Sequence, residues 1–126
     1  MRTSGPDEPP ITEADTAGLP GPVAADLLEA SMCCTFGAYR AAGLLARRAV
    51  DQVAVLRRVP LEMRTLHQKL TWLVEAGHLP PELAPDARAV RDLGGAAAHG
   101  AQGVTMDEAR AGVRSCLAVA VGVLLR

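Results

Sequence analysis

Two stretches of this chain, Phe36 to Val53 and Met106 to Val123, carry apolar or small residues at one and the same succession of steps: 3, 4, 3, 4, 3. In the first the positions are Phe36, Tyr39, Gly43, Ala46, Val50 and Val53; in the second they are Met106, Ala109, Val113, Cys116, Ala120 and Val123. On an α-helix such spacing lays every member along one stripe, whereas on a strand it would scatter them over both faces. No segment alternates with period two over a sustained run, and no repeat of solenoid length is visible. The chain is therefore expected to be all-α, an antiparallel four- to five-helix bundle in which the two striped helices supply the core.

The remaining helices follow from weaker forms of the same pattern. One begins near Pro22, a residue suited to the first helical turn, and runs through Val23, Leu27, Leu28 and Ala30 to about Cys34. Another opens at Pro60 and presents Met63, Leu66, Leu70 and Leu73 before Gly77 stops it. A fourth covers Ala87 to Gly100, with Leu83, Ala87, Val90 and Leu93 facing inward, a loosening at Gly94 and Gly95, and His99 in its last turn. The fifth starts at Thr105, where Thr105 and Glu108 form a capping box. Beyond Cys116 that helix is apolar on nearly every side. A helix in a small bundle needs one apolar face, so the excess predicts a second buried surface and hence a homodimer. Residues 1–21 are rich in proline and carry Asp7, Glu8, Glu13 and Asp15 without apolar periodicity, which predicts a disordered, flexible tail ahead of one helical domain at 22–126.

Composition narrows the function classes. Hydrophobic residues make up 49% and aromatics 2%, so the core is built from Leu, Val and Ala, side chains that let helices approach closely. Thirteen Lys and Arg against 14 Asp and Glu give a formal charge of -1, which excludes a global basic field and leaves only local patches for anionic partners. Cys33, Cys34 and Cys116 contain no CxxC pair and read as free thiols in a reducing cytoplasm. No basic-then-apolar leader precedes the helices, and the longest apolar run, Leu117 to Leu125, is about half a bilayer span. A cytoplasmic protein without membrane contact is expected.

Chemistry is reached by elimination. There is no GxxxxGK[ST], GxGxxG, GxSxG or HExxH. His67, His78, His99 and the cysteines lack metal-ligand spacing, so neither a metal nor another cofactor is expected. What survives is an arginine and a histidine. Arg91 and His99 are eight residues apart, about 12 Å along a helix axis and about 80° in azimuth, so a kink or a two-fold dimer is needed to bring such groups into one cleft. There a neutral imidazole at His99 could deprotonate a ribose 2′-hydroxyl while Arg91 stabilises charge on the phosphate, with Arg88 or Arg47 gripping the backbone of an RNA. Arg40 shares the face of Arg47, and Asp51 is placed to pair with Arg47 across one turn. The plainer alternative makes His99 a helix-terminal residue, Arg91 the partner of nearby acids, and Arg40, Arg47 and Asp51 a solvated flank. A scaffold holding a small ligand between its helices is a third reading.

The runs GAYRAAGLLARRAVDQV (37–53), LHQKLTWLVEAGHLPPEL (66–83) and VRDLGGAAAHG (90–100) resemble, in order and spacing, a bacterial family catalogued as domain of unknown function 4145. That family resembles the HEPN superfamily of helical bundles, which often dimerise and occur in toxin-antitoxin, restriction and antiphage systems. The resemblance implies an HEPN-like bundle. It also implies the site of the metal-independent endoribonucleases of that superfamily, an Arg usually followed by Asn, then a His on the fourth helix. His99 matches the histidine. Gly94 and Gly95 occupy the Arg and Asn positions; the branch itself commonly reads GNxAAH, so Gly94 fits the branch while Gly95 replaces its Asn. Arg91 is the nearest cation. The resemblance therefore implies a non-catalytic or degenerate dimeric accessory module, partnered by a larger protein of a defence or nucleic-acid system, with a His99-based ribonuclease or toxin as the alternative.

Overall fold

A computed structural model describes residues 8–99 and 103–125, with the backbone alone for residues 94 and 96–99. Five α-helices follow one another: α1 (Gly21–Thr35), α2 (Tyr39–Leu56), α3 (Leu66–Glu75), α4 (Ala84–His99) and α5 (Met106–Leu124). Short 3-10 turns precede α1 at Glu13–Thr16 and α4 at Pro81–Leu83. Among the described residues there is no strand, as the spacing predicted.

The helix α5 packs on α1, α2 and α4, and α2 in turn packs on all four other helices. The start of α5 is set by the expected box: Thr105 Oγ1 accepts from the Glu108 amide at 3.2 Å, and Glu108 Oε1 accepts from the Thr105 amide at 3.0 Å. Donation to that carboxyl from the Thr105 amide, and secondly from the Thr105 hydroxyl, holds it below its ordinary range. All five expected stripe positions from Ala109 onward are buried, and so are Val119 and Gly122 outside the stripe. The apolar excess that predicted a second interface is thus largely taken up inside the chain, because α5 is surrounded by helices on more than one side. Only Leu125 is among the large exposed apolar residues at that end.

Close approach of α4 and α5 depends on Gly112. A methyl group there would overlap the buried Leu93 side chain, so the glycine sets how near the two helices lie. At the far end Arg57, the residue after α2, donates from Nε at 3.3 Å and Nη2 at 3.0 Å to the Val123 carbonyl, one of the acceptors a helix C-terminus leaves free.

Several expectations are corrected. Residues 8–20, read as part of a flexible tail, form a strap against the bundle. Ile11 and Leu19 are buried, the Ser31 hydroxyl donates to the Ile11 carbonyl at 3.0 Å and accepts from its amide at 3.3 Å, and Arg110 donates to the Glu8 carbonyl at 2.6 Å. Residues 1–7 lie outside the described residues. Phe36, expected on the inward stripe of α2, instead follows the last turn of α1 and is 79% exposed, because Gly37 takes a φ of +78° and breaks the chain direction there. The third helix begins at Leu66 rather than at Pro60, started by a second capping box between Thr65 and Gln68. Where a loosening was expected, α4 remains helical from Ala84 through Gly94 and Gly95 to His99.

Candidate functional site

The helix α3 buries only Leu66, Leu70 and Leu73, and lies along the outside of the bundle. A short connection at 76–83 returns the chain, so α4 runs back beside it, leaving a shallow groove of about 160 Å³ between the two. His67, in the first turn of α3, faces the middle of α4. Its Nδ1 lies 3.3 Å from Nη1 of Arg91. Guanidinium has no acceptor, so in this contact Arg91 donates and Nδ1 of His67 accepts. Arg88, one turn earlier on the same face of α4, lines the same groove.

This end of the groove is cationic. Arg91 Nε also approaches Asp92 Oδ1 at 3.5 Å, an exposed contact of neighbouring residues that neutralises little. Arg88 makes no ion pair among the described residues. Toward the other end the lining changes to Leu70, Val74, Ala84 and Ala87, with Val74 38% exposed.

The other expected residues are distributed elsewhere. Asp51 does not pair with Arg47; its Oδ1 takes Lys69 Nζ at 3.0 Å, tying α2 to α3. Arg47 is half-buried on α2, while the next residue, Arg48, contacts Asp26 of α1 at 3.3 Å. Arg40 is in the first turn of α2 and lines a different groove, with Tyr39, Leu44, Gly103 and Val104. The structure therefore unites Arg88 with Arg91 and separates both from Arg40. The His99 side chain lies outside the described residues, and its backbone closes α4.

His67 is the residue that spacing did not single out. It sits 24 positions before Arg91, and its local signal is its place inside a Thr-x-x-Gln box. Among the described residues no group of three or more His, Cys, Asp or Glu side chains could hold a metal ion. Burial raises all three thiols: Cys33 and Cys34 upward from the ordinary value, Cys116 to about 12. In Cys33 the Glu29 carboxylate adds to burial; in Cys34 Arg110 partly opposes it. None of the three is poised as a thiolate nucleophile.

With this arrangement in view, comparison with known families is decisive for kinship. The family described as Domain of unknown function (DUF4145) matches residues 28–121. The chain belongs to that family. The matched span runs from the middle of α1 to the last turns of α5, so it contains both walls of the α3–α4 groove and the whole of α4. No curated protein and no solved structure matches the chain. Among the described residues of this DUF4145 chain, no helix is long and apolar enough to cross a membrane.

Proposed function

We propose that this DUF4145 chain is a non-catalytic, HEPN-like interaction module, working as a dimer or beside a larger protein of a bacterial defence or nucleic-acid system. The single observation that carries this reading is the direction of Arg91. The cation nearest to the expected arginine position reaches sideways to His67 on α3, and Gly94 and Gly95 offer no side chain that could replace it. General-base cleavage of RNA needs the base and the charge-stabilising cation at one phosphate. On an unbroken α4, Arg91 and His99 stand about 12 Å apart along the axis. An exposed groove with two arginines suits binding of an anionic group without any bond being broken.

A metal-independent endoribonuclease with His99 as base is the second reading, and Arg40 favours it. That arginine lines a groove beside Gly103 and Val104, the residues that lead out of the connection following His99. The two readings separate in one experiment. The wild-type protein and a His99→Ala variant are expressed, and growth arrest and cleavage of total RNA are compared. The interaction module gives no cleavage and equal growth with either; RNA cleavage lost in His99→Ala overturns it. Solution mass over a range of concentrations tests the dimer, which a monomer at every concentration would remove.

A further inference from the structure

The α3–α4 groove has two unlike ends, and their order is fixed by the antiparallel run of the helices. His67, Arg88 and Arg91 occupy one end, and Leu70, Val74, Ala84 and Ala87 line the floor toward the other. From His67 to Val74 is seven residues of α3, about 10 Å of helix. We infer that this groove is a binding site for a phosphate monoester carried on a small apolar or aromatic body, with the phosphate at Arg88, Arg91 and His67 and the body over Leu70 and Val74.

Three features favour a phosphate over a carboxylate. Two guanidiniums one turn apart on α4 line the same groove, and each is a planar fork of N–H donors of the kind that matches phosphate oxygens in pairs. His67 holds one of them at 3.3 Å from the opposite wall through Nδ1, which leaves the N–H at Nε2 as that ring's donor. The α3 N-terminus adds to these side chains: Gln68 donates its amide to Thr65, while Leu66 and His67 lie in the same turn, at the positive end of the helix. Against this charge stands only the Asp92 contact with Arg91, at 3.5 Å and exposed. A dianion balances such a set better than a monoanion. The exposed Val74 then gives the ligand's body a surface that water solvates poorly.

The site uses no atom of His99, so it stands or falls separately from the catalytic question. The test uses phenyl phosphate, inorganic phosphate and benzoate as probes, titrated into the full chain at one ionic strength and followed by calorimetry and by backbone amide NMR. Phenyl phosphate should bind saturably, and more tightly than either fragment, with shifts centred on residues 67–74 and 84–91. Arg88→Ala and Arg91→Ala should each weaken it about tenfold, the usual effect of losing a charged hydrogen-bond partner. Val74→Ser should weaken phenyl phosphate while leaving inorganic phosphate unchanged. All three positions are exposed, so the variants are expected to fold, and their amide spectra check this directly. Absence of saturable binding overturns the inference. So does equal affinity for benzoate and phenyl phosphate, or binding that survives both arginine substitutions.

Discussion

Nη1 of Arg91 stands 3.3 Å from Nδ1 of His67, a bond between helices whose partners are 24 residues apart in the chain. It turns the basic face of α4 toward α3 and away from the end of its own helix. Together with Lys69 to Asp51 at 3.0 Å, it is a polar tie that anchors α3 among its neighbours. The stability of α3 is therefore a local matter, set by three leucines, one cap and these polar contacts.

That makes α3 the first helix expected to open. Amide exchange in native conditions should be faster over 69–75 than over the buried turns of α5, whose residues from Ala109 to Val123 face neighbours on several sides. Thr65→Ala removes the cap and should lower protection in α3 by about 1 kcal/mol, with little change in α5. Equal protection in both helices would contradict the ranking.

The strap offers a second test. Ser31 satisfies both the amide and the carbonyl of Ile11, so Ser31→Ala leaves two backbone groups beside a buried side chain without partners. A loss of about 1 to 3 kcal/mol in denaturant unfolding is expected. Ile11→Ala should cost about 2 to 5 kcal/mol by emptying its 3% exposed niche. Both variants should become more sensitive to proteolysis over 8–20, while a sequence behaving as a free tail would lose nothing.

Two glycines of α5 should respond differently to the same change. Gly112→Ala drives a methyl into Leu93, whose Cγ as well as its terminal carbons lies close and which is 5% exposed. Overpacking of about 1 to 3 kcal/mol is expected there, beyond the gain from alanine's helix propensity. Gly122→Ala meets mainly the terminal carbon of Leu83, the far end of a flexible, half-buried side chain on the 3-10 turn. Thermal unfolding should show a clear drop for the first and a near-neutral result for the second.

Cys116 predicts the alkaline limb of stability. Burial raises its thiol from 9.0 to about 12, so the folded state keeps the proton that the unfolded chain releases. The sign follows: this contribution is complete below pH 9 and is lost as pH climbs from 9 toward 12. Cys116→Ala should flatten the fall of unfolding free energy over that range. In the wild type, alkylation of Cys116 should wait for unfolding, while half-buried Cys33 reacts first.

What the sequence made readable was local or periodic. The box at Thr105 and Glu108, the stripe of α5 and the stop at Gly77, where φ is +81°, each depend on residues within a turn or two and appear where expected. The Thr65 and Gln68 box carried an equally local signal, yet Pro60 five residues earlier looked like a helix start. Phe36 failed for another reason: the spacing continued across a chain reversal at Gly37, so the pattern was real in number and broken in space. The strap left no periodic trace, because Arg110 and Arg114 hold it through backbone carbonyls of Glu8 and Pro10, and a carbonyl is the same under every side chain. The pairing of Arg91 with His67, and of Asp51 with Lys69 instead of Arg47, arises only once α3 is laid beside its neighbours.

Arg57 grasps the Val123 carbonyl with two nitrogens, fastening the exit of α2 to the closing turn of α5. A spectroscopic label placed just after α5 would consequently report separation of those two helices, and its mobility would rise with loss of the whole bundle instead of with fraying of a loose end.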